Sequence, residues 1–273
     1  MKKNVLLIFF AIVSFSLMQS CKKDDKSDEN TDAITQEDAE LIVKSSVETE
    51  GLLDMLDVYG FDSTSNNRTP GLPSCVTQTV VTNANTVTIT WEFDTNGCTL
   101  PNGNTYRGTV VVIKTHDPAN QTVSGSISFD QFYVNNTQIE GSSNFERVLS
   151  NANGNPQITH NYNFTITFSN GDFAERSGTH IREWIEGFST PVFDDNVFLI
   201  TGNAHYRFRN GNEVDVVVTT PLRREATCPY FVSGVLDISR NNHHAVLDFG
   251  NGTCDNEATL TLSNGTVYVI NLD

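Results

Sequence analysis

Beyond residue 74 the chain has no stretch with the three-and-four spacing of a long helix. Parallel crossover folds need such helices between their strands, so they are excluded. Basic residues are also scarce: 17 Lys and Arg stand against 33 Asp and Glu, for a formal charge of −16, and nowhere do they cluster. A surface of that sign repels nucleic-acid phosphates and anionic headgroups, which excludes nucleic acid as a partner. The acidity fits a soluble extracytoplasmic surface; a surface that gathers cations is the other reading. There is no G-x-S-x-G elbow, H-E-x-x-H helix, phosphate loop, dinucleotide fingerprint or CxxC pair, so these hydrolase, metalloprotease, nucleotide and zinc signatures do not apply. The one long apolar run, from Val5 to Met18, is too short for a comfortable membrane span.

What is present starts with an address. Lys2 and Lys3 precede the apolar run, and Gln19, Ser20 and Cys21 close it, the layout of a signal peptide over residues 1–20. A small residue directly before cysteine resembles a bacterial lipobox, which implies lipidation at Cys21 and a membrane partner through the lipid anchor. Met18 and Gln19 depart from the commonest lipobox residues. The following Lys22-Lys23-Asp24-Asp25 resembles the lysine-plus-acidic signal that sends Bacteroidota lipoproteins to the cell surface, with a periplasm-facing protein as the alternative. Residues 21–34 are polar and charged and read as a disordered tether.

Thr35 followed by Asp38 has the form of an N-cap box, which predicts an amphipathic helix over 35–60. Ala39, Ile42, Val43 and Val47 share one face; Leu52, Leu53 and Leu56 form a second set after Gly51, where a break or kink is expected. Residues 61–73 read as a linker. Within it, Asp62-Ser63-Thr64 resembles a short O-glycosylation site of secreted Bacteroidota proteins, a three-residue pattern that chance readily supplies.

From residue 74 to 273 the apolar period becomes two. Val87, Ile89, Trp91 and Phe93 alternate with polar residues, as do Tyr162, Phe164, Ile166 and Phe168, and nine further segments read as strands. They cover 105–115, 122–134, 178–188, 197–209, 213–219, 230–239, 245–249, 258–262 and 266–272. Asn-Gly pairs at 96, 102, 170, 210, 251 and 264 suit tight turns between them. The expectation is an all-β antiparallel meander of long strands in a curved sheet, half-barrel or open sandwich, partly capped by the N-terminal helix.

Four cysteines remain beyond Cys21, an even number in an oxidising compartment. Cys75 to Cys98 and Cys228 to Cys254 each enclose strand-like halves, the second about Asn241, and in each a phenylalanine (Phe93, Phe249) stands five residues before the closing cysteine. That symmetry favours Cys75 with Cys98 and Cys228 with Cys254. Asp248, Asn251, Asp255, Asn256 and Glu257 gather oxygen ligands that calcium favours, but Gly250 breaks the ligand spacing and turn chemistry explains the same residues. No metal or other cofactor is assigned. His116, His160, His180 and His205 are expected singly on the surface or a sheet face, and the adjacent His243 and His244, in a strand, point to opposite faces and cannot chelate together. Glu183 and Glu186 beside Trp184 suggest a glycosidase pair, but their opposite parity in a strand predicts opposite faces. No catalytic residue is assigned, and Trp91, Trp184, Tyr162 and Tyr206 read as core.

Taken with the lipobox, tether and capped helix, the closing DFGNGTCDN-x-A-T-L-T-L-S-N-G segment resembles a family of Bacteroidota outer-membrane lipoproteins. Members repeat a strand ending in D-F-G-x-G-x-C followed by an N-G or D-G hairpin; here the first unit reads EFDTNGC. The resemblance implies compartment and architecture but no particular activity. The expectation is a non-enzymatic binding or scaffold domain at the cell surface, its partner a glycan, a protein or a hydrophobic ligand. A carrier of lipid or another hydrophobic ligand is the alternative, and a glycan-active enzyme the remote one.

Overall fold

The computed structural model describes residues 33–57, 59, 72–190, 192 and 194–272. All of these belong to one compact unit, Asp32–Asp273. The signal peptide, Cys21, most of the tether and Asp62-Ser63-Thr64 lie outside the described residues. The end of the expected tether does not. Ile34 is buried, and the Ala33 carbonyl accepts a hydrogen bond from Arg240 Nη1 at 2.8 Å, so the folded body begins at least two residues earlier than composition suggested.

Helix α1 runs over Gln36–Leu56. Its start is the expected box: Thr35 Oγ1 accepts from the Asp38 amide at 3.1 Å, and Asp38 Oδ2 accepts from the Thr35 amide at 2.9 Å. Contrary to expectation, Gly51 neither breaks nor kinks the helix. Its service is close approach, because a Cβ there would sit 2.7 Å from Asn104 Nδ2, and the Tyr106 hydroxyl donates to the Gly51 carbonyl at 2.7 Å. The helix ends at Leu56, short of residue 60.

Thirteen strands follow. They are β1 (Val76–Asn83), β2 (Thr86–Thr99), β3 (Thr105–Asp117), β4 (Thr122–Val134), β5 (Thr137–Val148), β6 (Gln157–Thr167) and β7 (Phe173–Glu186). The rest are β8 (Val197–Phe208), β9 (Glu213–Glu225), β10 (Phe231–Arg240), β11 (His243–Asn251), β12 (Glu257–Leu262) and β13 (Val267–Asn271). Each pairs antiparallel with its neighbours in the chain, giving one meandering sheet that does not close into a barrel.

One strand, β5, went unread in the sequence: it carries Glu, Gly, Ser and Asn between Ile139 and Phe145 and shows no clean apolar period. Strand β1 was legible only as the first half of the Cys75 to Cys98 hairpin, since seven of its eight residues are exposed. Strand β7 also starts five residues before the expected Gly178, because an arginine, Arg176, occupies one of its inward positions.

Four Asn-Gly pairs close identical turns. At Asn102, Asn170, Asn210 and Asn264 the side-chain oxygen accepts from the amide two residues on, and the following glycine takes a positive φ. Of the other two pairs read, the one at 96 falls inside β2 beside Cys98, whereas Asn251 ends β11 and Gly252 follows it, beside Cys254.

Side chains alternate between a buried face, with Trp91, Tyr106, Phe132, Ile166 and Phe208, and a face rich in Thr, Asn and Glu. The buried face wraps α1. Between Glu48 and Asp54 the helix touches β5 (Thr137), β7 (Arg182), β3 (Tyr106) and β9 (Arg224). In a flat sheet β3 and β9 would lie about 29 Å apart, whereas those seven residues advance roughly 10 Å, so the sheet must curl around the helix. Glycines and register shifts permit the bend: a Cβ at Gly108 would stand 2.0 Å from the Gln131 carbonyl oxygen, and one at Gly202 2.0 Å from that of Thr179. The helix is therefore the centre of the core rather than a cap, and 13 of its 21 residues are buried. Ile42→Ala should cost about 2–5 kcal/mol in urea denaturation, whereas Val81→Ala on the exposed edge strand should stay within about 0.5 kcal/mol.

Candidate functional site

Five of the thirteen residues that α1 buries are polar. Asp38, Ser45, Thr49, Glu50 and Asp54 recur at helical spacing, and arginines at inward positions of the sheet meet them. Asp38 pairs with Arg240 of β10 at 3.0 Å, and Thr49 accepts from Arg176 Nη1 at 2.9 Å. Arg182 is the hub. It reaches Glu50 at 3.0 Å, Asp54 at 2.6 Å and Asp57 at 3.2 Å, and its guanidinium lies 3.8 Å from the Phe198 ring centroid. Asp54 is shared with Arg224 of β9 at 2.7 Å.

Burial and pairing compete across this cluster. Burial raises Glu50 to about 7, with Arg182 opposing it, whereas Arg224 and Arg182 together overcome the burial of Asp54 and hold it below the usual carboxylate range. Beside them, burial drives His160 down to about 3 and His180 well below its ordinary value. His180 therefore meets Glu50, 3.3 Å away, as a neutral ring. Both histidines were expected on the surface or singly on a sheet face; instead they sit together beneath α1, ring centroids 6.5 Å apart, with His160 Nδ1 3.1 Å from Ser143 Oγ. His205 and His244 do lie exposed, against Asp215 and Asp237.

Near the C-terminal end of α1 the helix and three loops enclose a cavity of ≈ 630 Å³. Val47, Gly51, Asp54 and Met55 supply the helical wall, and Tyr59 lies just beyond it. Opposite stand Leu100 to Asn104 from the β2–β3 turn, Ala226, Thr227 and Pro229 from the β9–β10 loop, and Asp194. Both disulfides border it. Cys98, bonded to Cys75, lies two residues before Leu100; Cys228, bonded to Cys254, sits between Thr227 and Pro229. The favoured pairing is thus the one formed. The turn of the second unit falls between Asn241 and Asn242 rather than on Asn241, and a register shift near Gly234 displaces the cysteines from strict symmetry.

Two polar atoms on this lining are buried and have no hydrogen-bond partner among the described residues: Tyr59 Oη and Arg224 Nε. The other Arg224 nitrogens are engaged, Nη1 with the Glu225 carbonyl at 3.2 Å and Nη2 with Asp54. An unmet buried donor costs about 1–3 kcal/mol, so each calls for an explanation. A second cavity of the same size, beside the N-terminal half of α1, is lined by Glu37, Glu40, Lys44, Glu48 and Asp172 and has no such orphan.

The other sequence candidates are scattered. Asp248, Asn251 and Asp255 spend side-chain oxygens on the Gly250 amide, the Thr253 hydroxyl and the Glu257 amide, the hydrogen bonds of turns. The parity argument for Glu183 and Glu186 fails. The register slips between Trp184 and Glu186, so Glu183 pairs with Leu199 and Glu186 with Val197, two residues apart on β8, and both carboxylates reach one face. There Glu186 meets Arg223 at 3.4 Å, while the amides of Asn151, Asn153 and Asn155 hold Glu183 below the usual carboxylate range. A glycosidase acid needs the opposite shift. Trp91, Tyr162 and Tyr206 are core, as read, and the half-buried Trp184 stacks on Phe198 at 5.6 Å. Compared with known proteins, the chain matches no family model, no curated protein and no solved structure.

Arg182→Met should destabilise by roughly 3–5 kcal/mol, because Glu50, Asp54 and Asp57 lose their shared cation while staying largely inside; chemical denaturation measures it. The pH dependence has a definite sign. Burial raises Glu48 to about 7, against the hydrogen bonds from Thr137 and Asn135. A raised carboxyl favours the fold fully below about 4.5, and that contribution is lost as pH rises through about 7. Glu48→Gln keeps the amide oxygen as acceptor, so its urea midpoint should fall less between pH 5 and 8 than that of the native chain.

Proposed function

We propose that this protein is a non-enzymatic binding domain, held at the outer membrane by a lipid on Cys21, and that its ligand enters the cavity at the C-terminal end of α1. The observation that carries this reading is the placement of the disulfides. Each staples a loop on the cavity wall, at Cys98 beside Leu100 and at Cys228 beside Pro229. Closing loops of 23 and 26 residues stabilises the fold by roughly 3 kcal/mol apiece in the chain-entropy model, and it also holds the wall in one conformation. Preorganised walls reduce the cost of ordering on binding. The volume lies within the usual range for small-molecule sites.

The carrier reading draws support from Val47, Met55, Leu100, Pro101 and Pro229, which give the same cavity an apolar side. It takes a changed form. Helix α1 fills the wrapped interior of the sheet, so a carried ligand lies at the end of the helix rather than along the sheet. The paired cysteines support an extracytoplasmic address, and the Lys22 to Asp25 stretch supports the cell surface over the periplasm.

Native mass spectrometry of protein released gently from its own membranes tests the binding reading. The expected spectrum carries an added mass on the order of a few hundred daltons, suited to a cavity of this size, and the added mass disappears in Ala226→Trp. Consistently unliganded native protein would sink the proposal.

A further inference from the structure

We infer that the cavity at the C-terminal end of α1 takes an uncharged amphiphile that presents an ester or amide carbonyl to Arg224 and Tyr59. The inference rests on that cavity being the ligand site, and it names the chemistry of what enters.

The lining divides in two. Val47, Met55, Leu100, Pro101 and Pro229 offer an apolar wall, which selects a ligand with a hydrocarbon part. Arg224 and Tyr59 line the same cavity, 6% and 7% exposed, each with one buried polar atom lacking a partner among the described residues. Arginine Nε is a donor and never an acceptor, and the tyrosine hydroxyl donates readily. The group they await is therefore an acceptor. This excludes an ammonium head, which offers no acceptor.

Charge then separates the acceptors. Asp54 and Asp194 line the cavity with Arg224 as the one cation among its described lining residues, and Arg224 is already spoken for by Asp54 at 2.7 Å. A carboxylate or phosphate would enter beside a surplus of negative charge, on a protein whose formal charge is −16. A carbonyl oxygen accepts two hydrogen bonds and carries no formal charge. It satisfies Arg224 and Tyr59 without that repulsion. Both orphan atoms are shielded from water, so the inferred contact requires the two side chains to rotate toward the cavity that they line.

Three probes with one six-carbon chain and different heads test this: 1-hexanoylglycerol, hexanoate and hexyltrimethylammonium. Each is titrated calorimetrically into the full lipidated chain in lipid nanodiscs, with protein-free nanodiscs as the blank. The ester should bind saturably and at least about fivefold more tightly than either ion, the scale of one lost neutral hydrogen bond. Tyr59→Phe should weaken the ester about fivefold while leaving hexanoate unchanged. Hexanoate binding as tightly as the ester, or an ester indifferent to Tyr59→Phe, overturns the carbonyl assignment and leaves the cavity reading standing. If none of the three binds, or if Ala226→Trp binds the ester as well as the native chain does, the cavity reading itself fails.

Discussion

The buried contact between Arg182 and the carboxylates of α1 is the constraint on which the rest of this structure depends. Arg182, Glu50 and Asp54 meet in the packed interior, with the partly buried Asp57 at its margin. Removing such groups from water is costly, and the cost is offset only where each finds its partner in good geometry. The pairing therefore works chiefly as a register device. It admits one seating of the helix, in which carboxylates spaced three and four apart face β7 and β9 while Asp38 faces β10. A helix with a purely apolar face could slide or rotate in its sheet at small cost.

Seating a helix inside a sheet makes demands on the sheet. Strands on opposite sides of the helix must come within reach of the same two turns, so the meander bends, and it bends where glycines let neighbouring backbones approach. Gly108 and Gly202 mark two such places. The arrangement leaves β1 and β13 as free edges and the Thr- and Asn-rich face in water. It also leaves space at the end of α1, bordered by the two stapled loops. The disulfides lie outside the ion cluster, and Asp54 and Arg224 belong to both the cluster and the cavity. A ligand that engages Arg224 would thus act on a residue that helps to fix the helix.

Much of the architecture was legible along the chain. The capping box at Thr35, the alternation through Trp91 and Ile166, the Asn-Gly turns and the cysteine pairs are local signals, decided by neighbours a few residues away. The misreadings share one cause. A strand announces itself by apolar residues at every second position, and β5 and the start of β7 spend some of those positions on Ser143, Gly141 and Arg176, whose contacts lie on a neighbouring strand or on α1, more than a hundred residues away in the case of Arg176. Likewise, Glu50 and Asp54 look like the solvated side of an amphipathic helix until the sheet closes over them. The slip that brings Glu183 and Glu186 to one face is a property of pairing with β8, and no parity count along β7 contains it.

For the candidate site the division is sharper. Its walls could be guessed only in part, from Leu100 and Pro229 standing next to cysteines. Its polar residues could not, because Arg224 and Tyr59 are separated by the eight strands β1 to β8 and come to line one cavity through the curl of the sheet. By itself the sequence determined most of the strands and turns, the paired cysteines and the start of the helix, since these follow from short-range geometry and side-chain alternation. Only the tertiary structure decided that the helix lies inside the sheet, that its charges are buried, and that two donors are left without partners on one cavity. Those outcomes depend on which distant residues share the interior, and burial changes the meaning of a charged side chain in a way that no local pattern records.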